Sequence, residues 1–213
     1  MLANLLSRFG FLLILSTSLS IAGSKPTIAK HGMVVTQQAI ASQVGRQVLQ
    51  DGGNAIDAAV ATAFALAVVH PAAGNIGGGG FLIYRPNDGD LVAYDFRERA
   101  PAAATADMWL VDGAYDPARH HQSHLAVGVP GSVAGLHMAW TDHGSLAWAK
   151  LLAPAIHLAT DGFIVTHELA GSLRAQLGRM QKYPASIAAF TKKGDPYEPG
   201  DLLKQADLAR TLL

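Results

Sequence analysis

Arg97 follows the alternating run Leu91-Val92-Ala93-Tyr94-Asp95-Phe96. It therefore projects from the end of a predicted strand, a rigid place from which to hold one charged side chain. A guanidinium offers paired donors that match a carboxylate bidentately. From position alone two readings stand: a ligand carboxylate, or an internal ion pair with Asp95, Glu98 or a more distant acid. Asp95 and Glu98 are candidates for a general acid/base pair. Side chains three apart on an extended chain point to opposite faces, which separates the two unless the chain turns between them.

Two other groups of residues invite a chemical reading. His120, His121 and His124 lie close together in a polar stretch. Zinc needs three or four ligands in fixed geometry, and no acidic or sulfur ligand stands here at a recognised spacing. The histidines are expected in a solvated loop, and no metal site is expected. The run Gly74-Asn75-Ile76-Gly77-Gly78-Gly79-Gly80 invites a phosphate reading. Phosphate-cradling loops join a strand to a helix amino terminus, whereas here a helix precedes the loop and a strand comes after it. No Lys-Ser/Thr comes next either, so the pattern fails for a nucleotide. The run reads instead as a loop that needs close backbone approach.

These residues must be positioned by the elements around them. Met33-Val34-Val35-Thr36 reads as a short strand. A helix is predicted over 38–50, with Ile40, Val44 and Val48 on one face, stopped by Asp51-Gly52-Gly53. Asn54 caps a second helix that runs through Val69 and is apolar nearly all round, which predicts burial between layers. His70-Pro71 ends it. Phe81-Leu82-Ile83-Tyr84 and the 91–96 run form a hairpin about Asn87-Asp88-Gly89-Asp90. Residues 102–118 read as loop with one helical turn near Met108. Helices are predicted over 130–143, closed by Gly144, and over 148–161, stopped by Gly162, with Pro154 inside or near the first turn. A further helix runs from Thr166 or His167 toward Met180. Residues 201–213 are helical in pattern and stop mid-pattern, which predicts a truncated chain. The order indicates an α+β architecture, with helices packed on a sheet.

Composition narrows the class. Lys plus Arg and Asp plus Glu balance at 16 each, and charged residues make up only 15%. That balance lacks the basic excess of a nucleic-acid binder and the charge richness of a disordered tail. Half the residues are hydrophobic, enough for a sizeable core. There is no cysteine, which removes disulfides, thiolate metal sites and a cysteine nucleophile together. At the amino terminus Arg8 precedes a short apolar run and the small-residue ending Ser20-Ile21-Ala22. This reads as a signal peptide over 1–22, cut near Ala22, and hence a periplasmic or extracellular protein. The other reading is a retained anchor, although the apolar run is short against the ~20 residues of a spanning helix. After cleavage no membrane association is expected.

Several separate motifs, in order, resemble the γ-glutamyltransferase family. They are Gly52-Gly53-Asn54-Ala55-Ile56-Asp57-Ala58-Ala59-Val60-Ala61, His70-Pro71, the 74–80 glycine run with Phe81, and Asp95-Phe96-Arg97-Glu98 with Ala100-Pro101. They continue with Gly128-Val129-Pro130-Gly131-Ser132-Val133-Ala134-Gly135, Pro154-Ala155-Ile156, and Asp161-Gly162-Phe163 with Val165. The resemblance covers residues 30–213 in register.

The resemblance implies a four-layer αββα amino-terminal-nucleophile hydrolase fold, incomplete in this chain. It implies a precursor that cuts itself into a large and a small subunit. Residues 23–213 would be the front of the large subunit and the small subunit its partner. The nucleophile would be the threonine that opens the small subunit, with its own amine as base. No catalytic residue is then expected in this chain. Arg97 would grip the α-carboxylate of the γ-glutamyl donor, with glutathione the usual donor and water or an amino acid the acceptor. No cofactor and no nucleic acid enter this picture. Two alternatives stand beside it: a cephalosporin-acylase-like amidase of the same superfamily, and a noncatalytic remnant that binds a γ-glutamyl compound.

Overall fold

The computed structural model describes residues 26–213. The chain divides into two compact units, Met1–Gly32 and Met33–Leu213. Residues 26–32 of the first carry no helix or strand, so every helix and strand described belongs to the second. The expected signal peptide lies outside the described residues.

Helix α1 (Ala39–Gln50) buries Ala41, Gly45 and Val48, one stripe of an amphipathic helix. Helix α2 (Ala55–Val69) is buried along nearly its whole length, including Val60, Phe64 and Val68, as its continuous apolar run predicts. The two pack so closely at Gly45 that a Cβ there would sit 2.2 Å from Thr62 Oγ1. Asn54 forms the expected cap. Its side chain accepts from the Ile56 and Asp57 amides at 2.9 and 3.0 Å, and Asp57 Oδ2 accepts from the Asn54 amide at 2.9 Å. The strand expected at residues 33–36 does not form. Thr36 turns the chain instead, its Oγ1 accepting from the Gln38 amide at 3.0 Å and its amide donating to Ser42 Oγ at 3.1 Å.

Strands β1 (Phe81–Tyr84) and β2 (Val92–Asp95) pair antiparallel, with Phe81 opposite Asp95 and Leu82 opposite Tyr94. Leu82, Tyr84, Val92 and Tyr94 face the helices, while Phe81 and Ile83 are exposed on the other side. The expected hairpin forms, with its return strand beginning at Val92 rather than Leu91. The stretch read as loop over 102–118 is more ordered than that reading. It contains a second hairpin, β3 (Leu110–Val111) with β4 (Ala114–Tyr115), turned by Asp112 (φ 52°) and Gly113 (φ 79°). The short helix α3 (Pro117–Gln122) comes next, capped by Asp116, whose side chain accepts from the Ala118 amide at 2.8 Å.

Helix α4 (Ser132–His143) begins two residues later than expected, because Gly131 stands outside helical geometry as its cap. Helix α5 (Trp148–Asp161) carries Pro154 in its interior and ends at Gly162, which takes φ 89°. After strand β5 (Phe163–Ile164), Thr166 caps helix α6 (His167–Met180) by accepting from the Leu169 amide at 3.1 Å. Helix α7 (Pro184–Phe190) precedes strand β6 (Leu202–Leu203) and helix α8 (Ala206–Leu212). The helix expected across 201–213 is therefore corrected at its front. Leu203 is fully buried and pairs with Phe163, so tertiary contact overrides helical pattern there. Helix α2 meets α1, α4 and α5, with the Phe64 ring edge-on to Trp148 at 5.5 Å, and α8 packs against α5. Among the described residues the strands form three two-stranded sheets.

Candidate substrate-binding site

The segment that carries Arg97 is fastened on both sides. Upstream, Phe96 extends the β1–β2 pairing: its amide donates to the Gly80 carbonyl at 3.1 Å and its carbonyl accepts from the Gly80 amide at 3.4 Å. Downstream, Arg99 forms an antiparallel bridge with Val129, with bonds of 3.2 and 2.8 Å. Between these anchors Asp95 Oδ1 accepts from the Arg97 amide at 3.1 Å, which turns the backbone at the strand end. Three sequence-distant segments, 78–80, 95–99 and 128–135, thus meet at one place.

Glycines permit that meeting. A Cβ at Gly131 would lie 2.0 Å from the Phe96 carbonyl oxygen, and one at Gly135 would lie 2.1 Å from Phe96 Cγ. A Cβ at Gly79 would lie 2.6 Å from the Phe96 oxygen and 2.8 Å from Glu98 Oε2. The glycine run therefore serves close backbone approach, as its order relative to helix and strand indicated. Two amides at the start of α4 are already taken by the glycine run. The Gly131 and Ser132 amides donate to the Gly78 carbonyl at 2.7 and 3.0 Å. Asn75 completes this knot, its Oδ1 accepting from the Gly78 amide and from Ser132 Oγ, both at 2.8 Å.

Arg97 itself is exposed, and among the described residues its guanidinium makes no hydrogen bond or ion pair. The internal ion pair weighed from the sequence is thus not formed among these residues. Arg97 lines an open cleft of about 580 Å³ together with Glu98, Arg99, Met108, Trp109 and Leu125. Asp95 and Glu98 are not brought together as an acid/base pair. Asp95 holds the Arg97 amide, and Glu98 packs against Gly79 and Gly128.

Two anchors of this scaffold do not stand out in the sequence. Tyr94 is buried, and its hydroxyl donates to Asp142 Oδ2 at 2.9 Å, which ties β2 to α4. Burial, with the Asp142 hydrogen bond and charge added, pushes the Tyr94 hydroxyl up to about 12. Asp57 is fully buried and links the start of α2 to the α4–α5 turn. It accepts from Ser145 Oγ at 2.5 Å, from the Ser145 amide at 3.0 Å and from the Leu146 amide at 3.3 Å. Burial raises its pKa, yet the donors from Ser145, Asn54 and Leu146 outweigh that and hold the carboxyl below its usual value. Both are buried polar groups satisfied by a partner, detectable in a sequence only as polar residues inside apolar runs.

The histidines are solvated as expected, His121 and His124 exposed and His120 half-buried, but their backbone is not loop. His120 and His121 stand on α3 and His124 opens a 3-10 turn, so they are not in a structureless loop. The rings of His120 and His121 stack at 4.2 Å, with Tyr115 Oη 2.7 Å from His120 Nδ1. Among the described residues no group of three or more His, Cys, Asp or Glu side chains could hold a metal ion. No helix there is long and apolar enough to cross a membrane.

Comparison with known proteins places this arrangement. The family model described as Gamma-glutamyltranspeptidase matches residues 41–213. The glutathione hydrolase proenzyme of Escherichia coli (strain K12) is 49% identical over 189 residues, covering 88% of this chain and 33% of that protein. The crystal structure of Helicobacter pylori gamma-glutamyltranspeptidase is similar with a TM-score of 0.85 at 46% identity, covering 88% of this chain and 54% of that one. The acylase ACY 1 proenzyme of Pseudomonas sp. (strain SE83) is 41% identical over 195 residues, covering 88% of this chain and 35% of that protein. The fold is thus part of a four-layer αββα amino-terminal-nucleophile hydrolase. Within that class, the chain belongs to the γ-glutamyltranspeptidase family. It spans about a third of the length of the curated relatives it matches.

Proposed function

We propose that this chain supplies the donor-gripping arginine of an exported γ-glutamyltransferase that cleaves the γ-glutamyl amide of glutathione and related compounds. The observation that carries the reading is Arg97: exposed, without an internal partner among the described residues, and held at a strand end between two backbone anchors. A guanidinium so placed can take the α-carboxylate of a γ-glutamyl donor as a bidentate pair. With the carboxylate fixed, the γ-amide is held at a set distance, which is how binding energy is converted into orientation.

The bond-breaking step belongs to a threonine that opens a small subunit made from the same precursor. Its hydroxyl attacks the γ-carbonyl, its amine takes the proton, and an acyl-enzyme forms. Water or an amino acid then accepts the γ-glutamyl group. No threonine of this chain is assigned that role, and residues 23–213 act as the front of the large subunit. Residues 1–22 direct export and are removed, which puts the enzyme in the periplasm or outside the cell.

The test is Arg97→Ala in the complete enzyme with γ-glutamyl-p-nitroanilide as donor. Loss of a charge-assisted pair of about 1.5–3 kcal/mol predicts a KM raised by roughly ten- to hundredfold. Unchanged donor kinetics would remove Arg97 from the site. The similarity to an acylase proenzyme supports a second reading, an amidase for other acyl groups. In that case hydrolysis of a non-glutamyl amide exceeds that of the γ-glutamyl anilide.

A further inference from the structure

Arg97 is not the only guanidinium in its cleft. Arg99 lines the same walls, and among the described residues its side chain makes no hydrogen bond or ion pair. Its backbone is doubly bonded to Val129, so the direction of the side chain is set by a strand-like bridge rather than by a loose loop. Both arginines line the one cleft, on either side of Glu98 in the chain. Among the described residues Glu98 is the only acid lining the cleft, and Gly79 and Gly128 leave room for it to pack against the backbone between them. One donor carboxylate on Arg97 therefore leaves a second cation facing the same cavity.

We propose that Arg99 is a specificity-determining residue that receives a second carboxylate, the one on the leaving side of the donor. This rests on the role proposed for Arg97. The substrate class it selects is γ-glutamyl peptides with a free terminal carboxylate, over γ-glutamyl amides with a neutral leaving group. A γ-glutamyl dipeptide carries its two carboxylates at opposite ends of a flexible chain that can reach two cations lining one cleft. Met108, Trp109 and Leu125 give the intervening chain an apolar wall.

The experiment compares γ-glutamylglycine with γ-glutamylglycinamide, which differ only in that second carboxylate, in the complete enzyme. The quantity read is the ratio of kcat/KM for acid over amide, measured within one preparation so that any loss of folded protein cancels. Arg99→Gln is expected to lower this ratio about tenfold or more, since a charged hydrogen-bond partner is removed. Arg99→Lys, which keeps the charge but loses the planar fork, is expected to fall between the parent and Arg99→Gln. Arg97→Gln should lower kcat/KM for both donors together and leave their ratio in place. An unchanged ratio in Arg99→Gln overturns the proposal for Arg99. Unchanged kcat/KM in Arg97→Gln overturns the reading of Arg97 instead, so the two failures are told apart.

Discussion

The carbonyl oxygen of Phe96 occupies the space beside Gly131 so closely that a Cβ at position 131 would lie 2.0 Å from it. Backbone cannot yield there as a flexible side chain would. Gly131→Ala should therefore push the strand end away from α4 and carry Arg97 with it. Overpacking of this kind costs about 1–3 kcal/mol or more. A lowered Tm together with a raised donor KM is expected. Gly77 meets nothing within 4 Å and is the control, for which Gly77→Ala should leave Tm within about a degree or two. Equal behaviour of the two variants would contradict the scaffold role given to Gly131.

Asp57 should be a stability residue rather than a catalytic one. Asp57→Ala leaves buried donors from Ser145, Leu146 and Asn54 without their acceptor, at about 1–3 kcal/mol for each group that water does not rescue. Its folded pKa is depressed, so its contribution is complete above the ordinary carboxylate value of 3.8 and is withdrawn as pH falls through the lower folded value. Chemical denaturation between about pH 6 and about pH 2–3 should show less acid sensitivity in Asp57→Asn than in the parent. Identical pH slopes would contradict the linkage.

Tyr94 gives the opposite pH signature. Its folded pKa, about 12, lies above the ordinary 10, so its stabilisation is present below pH 10 and is lost as pH rises through 12. The difference between the absorbance titrations of the parent and of Tyr94→Phe should show a phenol still un-ionised at about pH 11. The same substitution loses the bond to Asp142, worth about 1 kcal/mol or somewhat more toward an ionised partner.

Phe81 (63% exposed) and Ile83 (71%) show the uncovered face of the first hairpin. Exposed apolar residues grouped on a strand face invite association. The 213 residues alone should bind a hydrophobic dye and should release no anilide from a γ-glutamyl donor. Clear turnover by this chain alone would contradict the assignment of the nucleophile elsewhere.

Legibility in the sequence divides along physical lines. Helices α1, α2, α5 and α6 are legible because their periodicity and caps are local: Asn54 and Thr166 sit where side chains must satisfy free amides. The hairpin around Asp88-Gly89 is legible for the same reason. The Asp112-Gly113 turn carries the same signal, but its strands are only two residues long, too short for alternation to register. Leu203 pairs with Phe163 across a long sequence separation, which local helical pattern cannot foresee. For the site, position alone leaves Arg97 balanced between ligand and ion pair. The backbone knot of Gly78, Gly131, Asn75 and Ser132 explains why glycine motifs far apart in sequence belong to it.

A grip of Arg97 on the donor α-carboxylate is tested most directly by removing that carboxylate from the donor as well as the guanidinium from the protein. The complete enzyme and its Arg97→Ala variant are each assayed with γ-glutamyl-p-nitroanilide and with 4-aminobutyryl-p-nitroanilide, which lacks only the α-carboxylate. The parent should prefer the first donor by roughly ten- to hundredfold or more in kcat/KM, and the variant should lose most of that preference. A variant that keeps the full preference would contradict this role for Arg97.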